Sequence, residues 1–190
     1  MTDQENSAAP STPPPPSTAT GFTIGFLTIL TDPSGVLGGY LVTNAWGRPL
    51  EFRMSSAVQP NRVQQILYGP TLTEYLHTDL IGKTLVEKAS VPPALIITDS
   101  FHAIELHARL KIPTLVVKQP NSELPSDFIE FPHDRSSQPL STLSRYLQNR
   151  AVIDERLNQV DPAVDLAEPF TRIREALAEA RKLGASNRAA

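Results

Sequence analysis

The stretch Phe22 to Leu30, FTIGFLTIL, is apolar on both parities: Phe22, Ile24, Phe26 and Leu30 on one, Leu27 and Ile29 on the other. A strand apolar on both faces is covered on both, so it belongs at the centre of a sheet with layers above and below. It ends at Asp32-Pro33-Ser34-Gly35, where Pro33 suits the first central position of a tight turn and Gly35 relieves its geometry. A second strand spans about Leu37 to Thr43, entered through Gly38-Gly39, and the loop Asn44 to Pro49 leads to a third, Leu50 to Ala57. There Leu50, Phe52 and Met54 alternate with Glu51, Arg53 and Ser55, so one face is wet. Three strands joined by short turns form an antiparallel meander.

A helical block follows. Asn61 caps it after Pro60, Val63, Ile66 and Leu67 begin its apolar stripe, and Gly69-Pro70 breaks or kinks it. Leu72, Leu76, Leu80, Ile81 and Leu85 carry the stripe on to about Ala89. Ala94 to Thr98 and Thr114 to Val117 read as short buried strands, bridged by a helix that Asp99-Ser100 caps. Such a crossover makes those two strands parallel neighbours. Residues 118–139 are polar and rich in proline, with room for a short edge strand at Phe128 to Phe131, and two helices close the chain at about Leu140 to Val160 and Val164 to Leu183. The expected fold is α/β with α+β character: a mixed five-stranded sheet, meander first and parallel βαβ unit second, with helices on its faces.

The 190 residues support one domain, expected over 22–184, with a sheet core over 22–118, a loop over 119–139 and a helical extension over 140–184. Residues 1–21, rich in Pro, Ser and Thr, cannot repay their ordering entropy and read as a disordered tail, as do 185–190 at the other end. A net charge of −3 supplies no global attraction for nucleic acid or anionic membrane. The absence of cysteine excludes disulfides, Cys-ligated metal and thiol catalysis. The longest apolar run is too short for a membrane span and lacks the basic flank of a signal peptide, so a soluble cytoplasmic chain is expected.

Candidate chemistry centres on Asp32 and Asp99, each following a strand that ends at the same sheet edge. Crevices at the carboxyl ends of parallel strands are where open sheets bind ligands, and paired carboxylates there suit Mg²⁺ or Mn²⁺. The same residues also serve structure, Asp32 as the first residue of a turn and Asp99 as a helix cap. Gly82-Lys83-Thr84 copies the end of a phosphate-binding loop, but His77 stands where its leading glycine belongs. His102 and His107, five apart on one helix, cannot face one ion.

Thr31-Asp32-Pro33-Ser34-Gly35, Gly38-Gly39-Tyr40 and Ile97-Thr98-Asp99-Ser100 together resemble the ribonuclease H pattern, across roughly residues 22–118. The resemblance implies that fold, and makes Asp32 and Asp99 candidate catalytic and metal-binding residues. It also implies a glutamate on the first helix and a late acid. The first of these positions holds the neutral Gln64, Glu74 lies beyond the Pro70 break, and Asp154 and Asp161 are candidates for the second. The implied reading is a degenerate member of the ribonuclease-H-like class.

Surface candidates for binding are Trp46, the lone tryptophan, with Arg48, Arg53 and Arg62. Three functions stay open. The expected one is a non-catalytic interaction or scaffold domain without a cofactor, working through a protein partner or self-association. The alternative is a Mg²⁺- or Mn²⁺-dependent nuclease or phosphodiesterase using Asp32 and Asp99. The third is a small-ligand or nucleotide sensor at the same edge, and nucleic acid is a less favoured partner than protein.

Overall fold

The computed structural model describes residues 21–119 and 122–186, with side chains as far as Leu183. The two terminal tails expected from composition therefore lie almost wholly outside the described residues. The expected mixed α/β architecture is present, but the sheet has seven strands instead of five, in the order β3-β2-β1-β4-β5-β7-β6. These are β1 (Thr23–Asp32), β2 (Gly35–Asn44), β3 (Pro49–Met54), β4 (Leu95–Thr98), β5 (Thr114–Val117), β6 (Phe128–Phe131) and β7 (Leu140–Leu143). β1 is central, antiparallel to β2 and parallel to β4, and β4 is parallel to β5, as the meander and the crossover require.

The two additional strands come from the proline-rich segment and its neighbour. The edge strand at Phe128–Phe131 is present as β6. Leu140–Leu143, expected to open a long helix, is instead β7, antiparallel to both β5 and β6. All four of its residues are buried. Spacing alone cannot separate the two outcomes, because Leu140 and Leu143 fit a helical stripe as well as a short buried strand. Pairing with the open side of β5 decides it.

Helices cover both faces. α1 (Arg62–Tyr68) buries no residue and leads into α2 (Leu72–Glu74), which lies on one face with a π-helical stretch Tyr75–Gly82, α3 (Lys83–Glu87) and α4 (Leu106–Leu110). On the other lie α5 (Arg150–Leu157) and α6 (Pro169–Ser186). Asn61 caps α1 as expected: its side chain accepts from Gln64 N–H while Gln64 returns a bond to the Asn61 backbone. The break at Gly69-Pro70 appears as a single 3₁₀ turn before the chain resumes its helix. Parity on β1 sorts the core. Ile24 and Phe26 join Phe170, Ile173 and Leu177 of α6, whereas Leu27 packs with Leu76, Ile81 and Leu85 on the opposite face.

Gly38 and Gly39 have a role beyond the hairpin that their spacing suggests. A Cβ on Gly38 would sit 2.4 Å from Ile81, and one on Gly39 would sit 2.5 Å from Ile173 and 2.9 Å from Leu177. Successive residues of a strand face opposite sides, so this pair lets one helical layer approach β2 from each side. Gly39→Val is expected to overpack the α6 face and lower stability by about 1–3 kcal/mol. Urea unfolding should show an earlier midpoint with an unchanged slope.

Candidate functional site

The carboxyl ends of β1, β4 and β5 form one edge, and Asp99 follows β4 there. Its side chain is only 5% exposed and converges with groups from three other elements. Thr28 Oγ1 on β1 donates to its Oδ2 at 2.6 Å, Arg174 Nη2 on α6 donates to the same oxygen, and Gln119 Nε2 lies 3.4 Å away. Burial pushes the Asp99 carboxyl upward, while Thr28 and Arg174 pull it back. Beside it is a cavity of about 320 Å³ lined by Lys118, Gln119, Ser137, Gln138, Thr171 and Arg174, among others.

Asp32 makes a second, more open cluster. It accepts from Ser34 N–H at 2.8 Å and Ser34 Oγ at 2.6 Å, and Arg181 of α6 pairs with its other oxygen. Those hydrogen bonds, led by that from Arg181, hold its carboxyl down to about 2. One helix supplies both guanidinium groups. Phe170, Ile173 and Leu177 bury the α6 stripe, and Arg174 and Arg181 sit beside it on nearly one line, about 10 Å apart along the axis at 1.5 Å per residue.

The structure does not bring Asp32 beside Asp99. Leu27 pairs with Thr98, so Thr28 is the β1 residue level with Asp99, whereas Asp32 pairs with Gly35 at the hairpin end. Four residues of strand separate Thr28 from Asp32, about 13 Å at 3.3 Å per residue. A Mg²⁺ ion, with oxygen ligands at about 2.1 Å, cannot touch both. Gln64 is spent in the α1 cap, Asp154 is paired with Arg150, and Asp161 caps a turn at Ala163. No group of three or more His, Asp and Glu side chains able to hold a metal ion exists among the described residues. The residues present do not fit a resident Mg²⁺ or Mn²⁺ centre; guanidinium groups stand against both carboxylates.

The surface candidates are separated too. Trp46 is 65% exposed in the β2–β3 loop, with Arg48 close by in sequence. Arg53 is tied to Glu51 on β3, and Arg62 opens α1 beyond Val58, which bridges to Val36 near the far end of β2. Arg48 and Arg62 thus lie towards opposite ends of a ten-residue strand and make no common patch. His107 and His133 stand apart from one another. His107 stacks on Tyr146 at 4.0 Å and His133 accepts from Arg135 N–H.

Thr28, Gln119, Arg174 and Arg181 escape a reading of the sequence. The heptad spacing of the two arginines beside an apolar stripe is visible, but nothing local names their partners. His77 is also missed. It projects from the π-helical stretch to within 2.8 Å of Ser100 Oγ, with His102 edge-on at 5.5 Å.

The chain matches no protein-family model and no curated protein. Among solved structures it is similar to endonuclease V from Streptomyces avermitilis, at 14% identity over 85% of this chain and 83% of that one, with a TM-score of 0.51. Endonuclease V from Bacillus subtilis aligns at 13% identity over 84% and 83%, with a TM-score of 0.46. The Streptomyces likeness establishes a shared fold, and the ribonuclease-H-like resemblance holds at that level. It also corrects the expected function. A non-catalytic interaction or scaffold domain has less support than the nuclease alternative, because the fold shared over most of both chains is that of a nuclease. No helix among the described residues is long and apolar enough to cross a membrane.

Two predictions follow from this geometry. Arg174→Met leaves the buried Asp99 without its cation and should cost about 1–3 kcal/mol in chemical unfolding. Arg181→Met, at the more open Asp32, should lower the midpoint by less. Burial and the neighbouring His102 push the His77 ring down to about 4. The fold therefore favours neutral His77: its contribution is complete above the ordinary histidine value near 6.5 and is lost as pH falls from there to about 4. The melting temperature should fall across that window, and His77→Gln should flatten the decline.

Proposed function

We propose that this chain acts on nucleic acid as a nuclease-class protein, with its contact to the phosphodiester backbone at the carboxyl edge of β1, β4 and β5. The observation that carries the reading is the pair of guanidinium groups, Arg174 and Arg181, which one helix holds at that edge. Guanidinium groups match phosphate oxygens in charge and in hydrogen-bond geometry. Arg174 and Lys118 also border the cavity beside Asp99, which suits a nucleotide-sized group entering next to the backbone contact. The net charge of −3 leaves attraction to this local pair instead of the whole surface, and each guanidinium is already paired with an aspartate, so binding is weak and its few phosphate contacts give a shallow salt dependence.

Strand cleavage is the second reading, and the nuclease fold shared with endonuclease V favours it. Because the acid set does not fit a resident metal, no hydrolytic step is assigned to Asp32 and Asp99. Fluorescence anisotropy with single- and double-stranded oligonucleotides tests the main reading. Arg181→Gln, which spares the buried pair, should weaken binding several-fold and reduce its salt dependence. Undiminished binding by that variant, or none by the parent, would refute it. In gel assays with Mg²⁺ or Mn²⁺, cleavage abolished by Asp99→Asn would establish the second reading.

A further inference from the structure

Among the described residues, no strand pairs with the outer side of β3. Along it Leu50, Phe52 and Met54 are 48%, 40% and 41% exposed, and the exposed Trp46 precedes them in the adjoining loop. Phe52 and Met54 lie on the α6 face, since Phe52 pairs with Leu41 and Met54 with Gly39, both of which pack towards α6, while Leu50 is the extra residue of a bulge opposite Val42 and Thr43. Ser55 N–H bonds to Gly38 C=O, so by alternation the backbone groups of Phe52 and Met54 point away from β2. Edge strands normally carry charge, proline or a cover that prevents further pairing. Here Pro49 and the bulge at Leu50 blunt only the strand's start, and the charged Glu51 and Arg53 face the other side.

The strand reads Leu50-Glu51-Phe52-Arg53-Met54, which is complementary to itself when reversed. Antiparallel pairing about Phe52 sets Phe52 against Phe52 and Glu51 against Arg53 of the second copy, with Met54 reaching the bulged Leu50. One face then joins two apolar rows, and the other gains opposite-charge pairs in both directions. The glutamate is fixed within its own chain: its Oε1 accepts from Arg53 Nε at 2.6 Å, and its Oε2 accepts from Ser90 and Val91 N–H, so a second copy's Arg53 would extend this ion pair into a network. A two-fold axis through Phe52 satisfies every one of these contacts, as an isologous interface demands.

We propose that β3 is a homodimer interface, pairing with β3 of a second copy in the register centred on Phe52. This proposal is independent of the nucleic-acid reading, because β3 lies at the outer edge of the sheet, away from Asp99.

Sedimentation velocity on the full chain tests it. The expected species is a dimer of the 20.8 kDa chain. Phe52→Lys and Arg53→Glu should each weaken association at least tenfold while circular dichroism and the melting temperature of the monomer persist. The chain has no cysteine, so Phe52→Cys offers a single crosslinking point, and mild oxidation should link two copies there. The same substitution at Ile129, on the opposite edge strand β6, should not crosslink. A monomer at tens of micromolar, a dimer that survives Phe52→Lys, or equal crosslinking at position 129 would each overturn the proposal. A monomer whose Trp46 fluorescence shifts when residues 1–20 are removed would overturn it in favour of the chain's own tail as occupant.

Discussion

The close approach at Gly38 and Gly39 underlies most of what this structure does. Without side chains there, β2 accepts Ile81 and Leu85 from one layer and Ile173 and Leu177 from the other. The second contact sets α6 against β1 and β2, and that placement delivers Arg174 to Asp99 and Arg181 to Asp32. A helix held farther from the sheet would leave a nearly buried aspartate without its cation, a state far more costly than an exposed unpaired charge. Packing on the apolar stripe and electrostatics at the edge are thus one event seen from two sides of the same helix.

The edge belongs to a fold shared with endonuclease V from Streptomyces avermitilis, and its charges are set by this chain's own residues. Thr28 stands on β1 level with Asp99, where a second carboxylate would have met it, and its hydroxyl donates to Asp99 instead of sharing a metal with it. Each remaining carboxylate has a fixed cation of its own. The consequence is a site that presents guanidinium groups, which bind phosphate by hydrogen bonds and charge without an ion. Metal-assisted hydrolysis by Asp32 and Asp99 therefore gains nothing from the geometry.

Much of the sheet was legible because its strands carry unambiguous periodicity. FTIGFLTIL is apolar on both parities and is indeed the central strand, and the short runs at Leu95–Thr98 and Thr114–Val117 pair in parallel as their crossover implied. Leu140–Leu143 failed because four residues are too few to separate a period of two from one of 3.6. Position was harder than type at the site as well. Asp32 and Asp99 are both genuine strand-end residues, yet the hairpin carries β1 past the level of β4, a length that only the register reveals.

What the sequence by itself determined is local: strand and helix types, the Asn61 cap and the turn at Pro33. Those follow from side-chain period and backbone preference, which act over a few residues. It did not determine the wet face of β3, where Leu50, Phe52 and Met54 are exposed and the expected Glu51 and Arg53 are half-buried. Tertiary structure alone decided which charges meet. Arg174 and Asp99 are separated by 75 positions, and Arg181 and Asp32 by 149, so their pairing depends on how α6 crosses the sheet. The same holds for the seventh strand and for the bare edge of β3, because a strand's neighbours are set by the packing of the whole sheet and not by its own residues.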